Sequence, residues 1–163
     1  MSGCVENVRK DLAALLKDLS VVAIGTRDAE LRPECVLTAG VTLGPSPGRL
    51  TVWVPEAGGA RTFANLGENG SVAVVLEEAG THRTVQVKGR CLEVRPATEA
   101  DREAVRAASE AFGRQLMAVG LPAPVVRRRS TWPCRAVVVE AGEVFEQTPG
   151  PDAGRPLTRT ASR

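Results

Sequence analysis

The chain has 163 residues and a mass of 17.2 kDa, which fits one domain of ordinary size. Hydrophobic residues make up 43% and charged residues 25%, which excludes a chain that is disordered along most of its length. The net charge of +2 is too balanced to indicate a nucleic-acid-binding protein. No apolar run approaches the roughly 20 residues of a membrane helix, and no signal peptide is visible, so we expect a cytoplasmic protein without a membrane partner.

The first half of the chain alternates short strand patterns with two helical ones. Leu50, Val52 and Val54 alternate with polar neighbours, which is typical of a strand with one buried face. Gly58 and Gly59 end that strand. In order, the pattern predicts an amphipathic helix over 5–19, strands starting at 21 and spanning 35–43 and 49–55, a short helix over 60–68, and a strand at 72–76.

The second half has a longer strand and a longer helix. Residues 84–94 alternate as a strand, and Gly89 within it indicates a bulge or a close approach of two backbones. Thr98 and Asp101 resemble a capping box at the start of a helix that extends to about residue 119. Short strands follow at 136–140 and 143–147. Pro, Gly, Thr and Arg dominate the end, so we expect one domain over 1–149 and a flexible tail over 150–163.

The connections are mostly of hairpin length, which predicts a mainly antiparallel sheet with flanking helices. About six strands in one small domain favour closure into a barrel, because closure removes exposed strand edges. No alternation of strand and helix of the doubly wound type is present.

Most catalytic and metal-binding signatures are missing from the sequence. There is no glycine-rich dinucleotide or P-loop fingerprint and no nucleophile elbow. The single histidine, His82, lies in a polar stretch where an exposed loop position is the simpler interpretation. The four cysteines lack metal-binding spacing, so we expect no metal site and reduced thiols, with Cys35 and Cys91 buried in strands.

Two segments are candidates for binding phosphate. Arg127–Arg129 can contact phosphate groups or form a solvated loop. Residues 58–62 place two glycines, Arg61 and Thr62 at a strand-to-helix junction, where free amides and the helix dipole favour an anion. The alternative for that junction is a capped helix with a surface arginine.

The order and spacing of several motifs resemble the pyridoxamine 5′-phosphate oxidase-like superfamily of FMN-binding split barrels. The resemblance covers residues 8–96, and residues 134–147 fit its closing strands. The motifs that carry it are VVAIGT at 21–26, LTVWV at 50–54, ARTFANL at 60–66, ENGSVAV at 68–74 and TVQVKGR at 84–90. The implied fold is a six-stranded antiparallel split β-barrel.

The resemblance implies a homodimer with FMN in a groove between the two subunits. Arg61 and Thr62 would hold the phosphate, and Thr84 would face the flavin. The strand segments would follow the ring and the ribityl chain largely through backbone atoms, and their residues are Val36, Leu37, Thr38, Ala39, Val54 and Pro55. The implied activity is hydride or electron transfer to an unknown small-molecule substrate. A carrier or sensor without turnover is the alternative.

The chain departs from the oxidases of this family at three places. Thr62 stands where the oxidases often have Lys, and Thr84 stands where they often have Gln. Both threonines are shorter than the residues they replace and reach less far towards FMN. Deazaflavin F420 and haem are therefore alternative cofactors. The C-terminal Arg/His motif that binds the vitamin B6 phosphate is also missing, since the chain reads FEQTPGP at 145–151. Oxidation of pyridoxamine phosphate is therefore not expected.

Overall fold

The computed structural model describes residues 21–44, 46 and 48–159. The helix predicted over 5–19 and Cys4 lie outside these residues. The strands of the described residues are β1 (Val21–Arg27), β2 (Pro33–Leu37), β3 (Gly40–Leu43), β4 (Arg49–Pro55), β5 (Ser71–Glu77), β6 (Thr84–Pro96), β7 (Cys134–Glu146) and β8 (Pro156–Arg159). The helices of the described residues are α1 (Ala60–Asn69), α2 (Glu99–Ala118) and α3 (Ala123–Val126).

The described strands form one antiparallel sheet in the order β2-β1-β5-β6-β7-β4-β3, with β8 paired to β7. This confirms the predicted fold class, a mainly β split barrel with flanking helices. Within the described residues the sheet has eight strands, whereas six were predicted. The predicted run 35–43 divides into β2 and β3, and β8 is an addition. The predicted strands 136–140 and 143–147 are one strand, because β7 keeps pairing with β6 on both sides of Gly142.

The two ends of the curled sheet meet at Thr38 and Ala39, between β2 and β3. The amide of Thr38 donates to the Val22 carbonyl at 2.9 Å, on the β1 side. The next amide, of Ala39, donates to the Trp53 carbonyl at 2.7 Å, on the β4 side. Consecutive residues therefore join opposite ends of the sheet, and we call this pair the seam.

The interior of the barrel holds the main hydrophobic core. Alternate residues of each strand point inward, as the period of two requires. Strand β5 shows it, with Val72, Val74 and Leu76 buried between half-buried neighbours. The other fully buried members include Ile24, Leu50, Val52, Val54, Val87, Val137 and Val139.

The predicted irregularity at Gly89 is present. The register of β6 against β7 shifts between Lys88 and Gly89. A Cβ at Gly89 would overlap the carbonyl of Glu140, so the backbones approach more closely than a side chain allows.

Helix α2 packs against the outside of the barrel beside the seam. The capping box predicted from Thr98 and Asp101 is present at its start. A second buried cluster, which contains Ala39, Trp53 and Val105, lies between the helix and the sheet. The helix and the sheet approach closely at Gly40, where an added Cβ would overlap the Cβ of Ala108.

The cysteines differ from expectation. Cys35, predicted to be buried, is exposed, because its register opposite Gly25 puts it on the outer face of the sheet. Cys91 is half-buried. Cys134 is buried instead, and burial raises the pKa of its thiol to about 11.

Part of the C-terminal segment 150–163 is paired with the sheet. Pro156–Arg159 pair with β7, and the amide of Gly154 donates to the Glu146 carbonyl at 2.7 Å. These bonds satisfy a strand edge that the sequence pattern leaves open. None of the described helices is both long and apolar enough to cross a membrane.

Candidate cofactor site

The junction between β4 and α1 forms the tight turn that its glycines predict. Gly58 has a φ of 87°, which favours glycine. A Cβ at Gly59 would lie 2.6 Å from the carbonyl oxygen of Pro55. Helix α1 begins at Ala60 with no side-chain cap and no acidic residue in its first turn. The first amides of a helix lack intrahelical acceptors, so this end carries free donors and a positive dipole.

Arg61 projects from this first turn into solvent. Its side chain is 63% exposed, and its Nη1 atom lies 3.4 Å from Oε2 of Glu34 in β2. The pair links α1 to the strand that leads into the seam. An incoming phosphate would therefore compete with a carboxylate that is already next to the guanidinium.

Thr62 occupies a different environment from its neighbour. It is fully buried on the inward face of α1, together with Asn65 and Leu66. The Asn65 amide donates to the hydroxyl of Thr26 at 3.0 Å. The Thr62 hydroxyl has no hydrogen-bond partner among the described residues, which is uncommon for a buried polar group.

The predicted strand contacts surround the seam. Leu37 is 55% exposed, whereas Thr38 and Ala39 are buried with their amides already bonded across the barrel. Val36 is half-buried in β2. Val54 and Pro55 are buried at the end of β4, next to the turn that precedes α1. Trp53 accepts the Ala39 amide and lies opposite Gly40, so Val54 and Pro55 directly follow the part of β4 that meets the seam.

Thr84 begins β6, at the end of a turn that contains His82. Its hydroxyl donates to the His82 carbonyl at 2.8 Å, and its amide donates to the Thr148 hydroxyl at 3.0 Å. His82 is 71% exposed, and its Nδ1 lies 3.0 Å from Oε1 of Glu77. The histidine is an exposed turn residue, as its sequence context suggests.

The outer face of β1, β2, β5 and β6 carries an open groove of about 470 Å³. Gly25 lies between Cys35 and Ala73 in register, and Lys88 follows on β6. The residues in the predicted cofactor set do not line this groove, but Glu34, the partner of Arg61, does. The groove therefore opens beside the proposed phosphate arginine.

Sequence reasoning missed the role of Arg129. Its Nη2 donates to the carbonyl of Thr38 at 3.3 Å, and its guanidinium lies 3.9 Å from the centre of the Phe112 ring. Desolvation by burial lowers the pKa of this group. Arg129 therefore attaches the loop after α3 to the seam. In the sequence the three consecutive arginines look alike, and no helical or strand periodicity distinguishes Arg129 from Arg127 and Arg128.

The described residues contain no group of three or more side chains suited to hold a metal ion. Within the same residues, Trp53 Nε1 is a second buried polar atom without a partner. It lies in β4 beside the seam.

Comparison with known families gives one match over most of the chain. A sequence profile described as pyridoxamine 5′-phosphate oxidase matches residues 8–147. A search of curated proteins returned no match.

Solved structures share the fold at low sequence identity. HupZ of Group A Streptococcus is 14% identical with a TM-score of 0.52, over 91% of this chain and 98% of that one. A NimC/NimA family protein of Clostridium acetobutylicum is 16% identical with a TM-score of 0.52, over 97% and 95%. An F420 reductase is 13% identical with a TM-score of 0.51, over 80% and 93%. At sequence identities this low, the similarity shows a shared fold alone.

Proposed function

The chain belongs to the pyridoxamine 5′-phosphate oxidase family, and on that premise we propose that it is a homodimeric flavoprotein that binds FMN. When bound, the flavin supplies hydride or electron transfer to a small-molecule substrate. The protein supplies position, electrostatics and exclusion of water. Residues 1–149 are the proposed domain that carries this site.

The observation that carries the proposal is the uncapped start of α1 with Arg61 on its first turn. Free amides, a positive dipole end and a guanidinium together suit the FMN phosphate. The missing cap and the absence of an acidic residue in this turn leave the amides available. We propose the unpartnered Thr62 hydroxyl, which is buried in the flavin-free chain, as a further donor to the phosphate.

The flavin ring and ribityl chain are proposed to lie along the seam. Leu37 offers an exposed apolar surface, and the backbone of Val36–Ala39 lies beside it. Pro55 and Val54 shape the end of β4 behind this region, and Thr84 is proposed to contact the ring from the start of β6. These residues act by position, so we assign no acid or base.

The outer face of the sheet supports the proposed dimer. A sheet face that remains in water is normally polar. Here the central outward positions of β1, β2 and β5 are small or apolar, namely Ala23, Gly25, Leu37, Ala73 and Val75, and the charged residues Arg27 and Glu77 lie at the strand ends. The same face carries the open groove, which is lined by Glu34 but by none of the residues proposed to contact the flavin. A second copy of the chain placed over this face would cover both the apolar outward residues and the groove.

The test is the absorbance spectrum of the purified protein, followed by titration with FMN, F420 and haemin in parallel. We expect saturable FMN binding with one flavin per chain. Binding of F420 or haemin with no binding of FMN would overturn the cofactor assignment. Sedimentation equilibrium tests the assembly separately: a stable monomer of about 17 kDa at micromolar concentration would overturn the dimer.

Turnover is tested on the flavin-loaded protein. Reoxidation of the chemically reduced flavin by a panel of small-molecule acceptors should be faster than that of free reduced FMN. If no acceptor reacts faster than with free flavin, the protein is a cofactor carrier or sensor rather than an oxidoreductase.

A further inference from the structure

A groove of about 530 Å³ runs along α2, between this helix and the segment 126–132. None of the residues proposed to contact flavin lines it. Its volume lies within the range of small-molecule pockets. The groove is therefore large enough for a ligand of its own.

The groove receives one arginine without an ion-pair partner from each of its two walls. Helices α2 and α3 approach closely at Gly113, where an added Cβ would lie 3.1 Å from Cγ1 of Val126. Arg114 and Arg127 directly follow these two residues, and both line the groove. The contact between the helices thus brings two guanidinium groups to the same opening.

The other charged groups of the groove are already engaged in ion pairs. Arg106 bonds Glu103 at 2.6 Å and Glu110 at 2.7 Å, so the lining carboxylate of Glu110 is paired. Arg102 bonds Glu99 at 2.6 Å. Among the described residues, Arg114 and Arg127 have no ion-pair partner. The two free arginines outweigh the one extra carboxylate beside Arg106, so the groove keeps a net positive charge.

The remaining lining is mostly apolar. Val105 forms the floor as part of the buried cluster behind α2, and Val126 contributes from α3. The ring of Trp132 forms a wall, held by the guanidinium of Arg102 at 4.5 Å from its centre. Met117, 43% exposed, lines the groove towards the end of α2. Apolar walls with two free cations match a ligand that is itself apolar and negatively charged.

We propose that this groove binds a small organic anion. Its apolar body lies along α2 between Val105, Met117 and Trp132, and its carboxylate, sulfonate or phosphate meets Arg114 and Arg127. This proposal does not depend on the flavin, since it rests on residues outside the proposed cofactor set. A cationic ligand is excluded by the same charges, and a neutral one gains the apolar contact alone.

The experiment titrates flavin-free protein with 8-anilino-1-naphthalenesulfonate, an apolar anion, and with the neutral N-phenyl-1-naphthylamine. The fluorescence of each is measured with the wild type and with the double variant Arg114→Gln/Arg127→Gln. Both guanidinium groups are solvent-exposed, so we expect the variant to lose about five- to tenfold in affinity for the anion. Affinity for the neutral compound should stay within about twofold, because the apolar walls are unchanged.

Arg128→Gln is the matched control, because Arg128 is exposed in the same loop and does not line the groove. It should bind the anion like the wild type, and Arg114→Lys/Arg127→Lys should restore most of the affinity. Ser109→Leu, which fills the groove, should weaken both compounds. Far-UV circular dichroism checks that each variant is folded. Equal anion affinity in the wild type and the Gln double variant, an equal loss in Arg128→Gln, or unchanged binding in Ser109→Leu would each overturn the proposal.

Discussion

The guanidinium Nη1 of Arg61 lies 3.4 Å from Oε2 of Glu34, and this pair connects the first turn of α1 to β2. The Glu34 side chain is 21% exposed and Arg61 is 63% exposed, so solvent screens the pair and its stabilising effect is modest. Its larger consequence concerns binding. A phosphate placed at the start of α1 has to share Arg61 with an existing carboxylate.

Replacement of Arg61 by Ala should weaken FMN binding by about 1–2 kcal/mol, or about five- to thirtyfold, because a charge-assisted contact to phosphate is lost in a partly solvated site. The measurement is fluorescence titration with FMN and with riboflavin, which lacks the phosphate. Riboflavin affinity should not change.

Glu34→Gln is the opposite arm of this experiment, since it removes the competing charge while keeping the size of the side chain. It should tighten FMN binding about two- to threefold and leave riboflavin unaffected. Glu30→Gln, at the exposed pair of Glu30 with Arg32, is the control and should change neither. Equal effects of Arg61→Ala on the two flavins would place the phosphate elsewhere.

Thr62→Val should stabilise the flavin-free protein by about 1 kcal/mol. The hydroxyl is fully buried without a partner, and an apolar group of the same shape removes that desolvation penalty. Urea unfolding measures the change. Thr26→Val is the control, because the Thr26 hydroxyl accepts a bond from Asn65, and its loss should destabilise by about 1–3 kcal/mol.

Thr62→Val also tests whether Thr62 contacts the FMN phosphate. If the Thr62 hydroxyl bonds the phosphate in the complex, Thr62→Val loses FMN affinity but not riboflavin affinity. If Thr62→Val destabilises the flavin-free protein, the conclusion that the Thr62 hydroxyl has no hydrogen-bond partner is wrong.

Gly40→Ala and Gly67→Ala should have opposite effects on stability. A Cβ at Gly40 would overlap Ala108 of α2, and the φ of 155° disfavours other residues, so we expect a loss of about 2–4 kcal/mol. Gly67 is an exposed helical position in α1 with open space around it, and Ala should stabilise there by about 0.5–1 kcal/mol. Thermal unfolding of both variants is the measurement, and equal shifts would refute the close packing of α2 on β3.

Asp101 should make the stability of the protein depend on pH in the acidic range. Bonds from Arg95 at 2.7 and 3.0 Å and from the Thr98 amide and hydroxyl hold the pKa of Asp101 well below its usual 3.8. A carboxyl group with a lowered pKa in the folded state stabilises it above the unfolded pKa. That contribution, about 1–2 kcal/mol, is lost as the pH falls below 3.8 towards the folded value.

Asp101→Asn should therefore be less stable than the wild type at pH 7, and the difference should narrow below pH 3.8. Urea midpoints at several pH values measure it. Glu103→Gln, which breaks an exposed pair with Arg106, is the control and should have little effect. A constant difference between Asp101→Asn and wild type across this range would contradict the argument.

Local patterns predicted the elements whose cause is local. The period of α2, its cap at Thr98 and the break at Gly89 follow from neighbouring residues, and all three are present. The seam at Thr38 and Ala39 could not be foreseen, because one amide pairs with β1 and the next with β4, far apart in the chain. The exposed position of Cys35 likewise depends on strand register.

The protein should not oxidise pyridoxine or pyridoxamine phosphates, even when it is loaded with FMN. The oxidases that the chain resembles clamp the substrate phosphate with a basic motif near the C-terminus, and no Arg or Lys lies between residues 136 and 153 here. Arg155 is exposed and next to Asp152 at 3.7 Å, and Arg129 is engaged by the Thr38 carbonyl and Phe112. Without a cationic clamp the substrate is not held at the roughly 3–3.5 Å that reaction requires. Oxygen consumption by the FMN-loaded protein measures this, with free FMN as the blank. Turnover of about 1 s⁻¹ or faster, within the ordinary range of enzymes, would show that another group holds the phosphate.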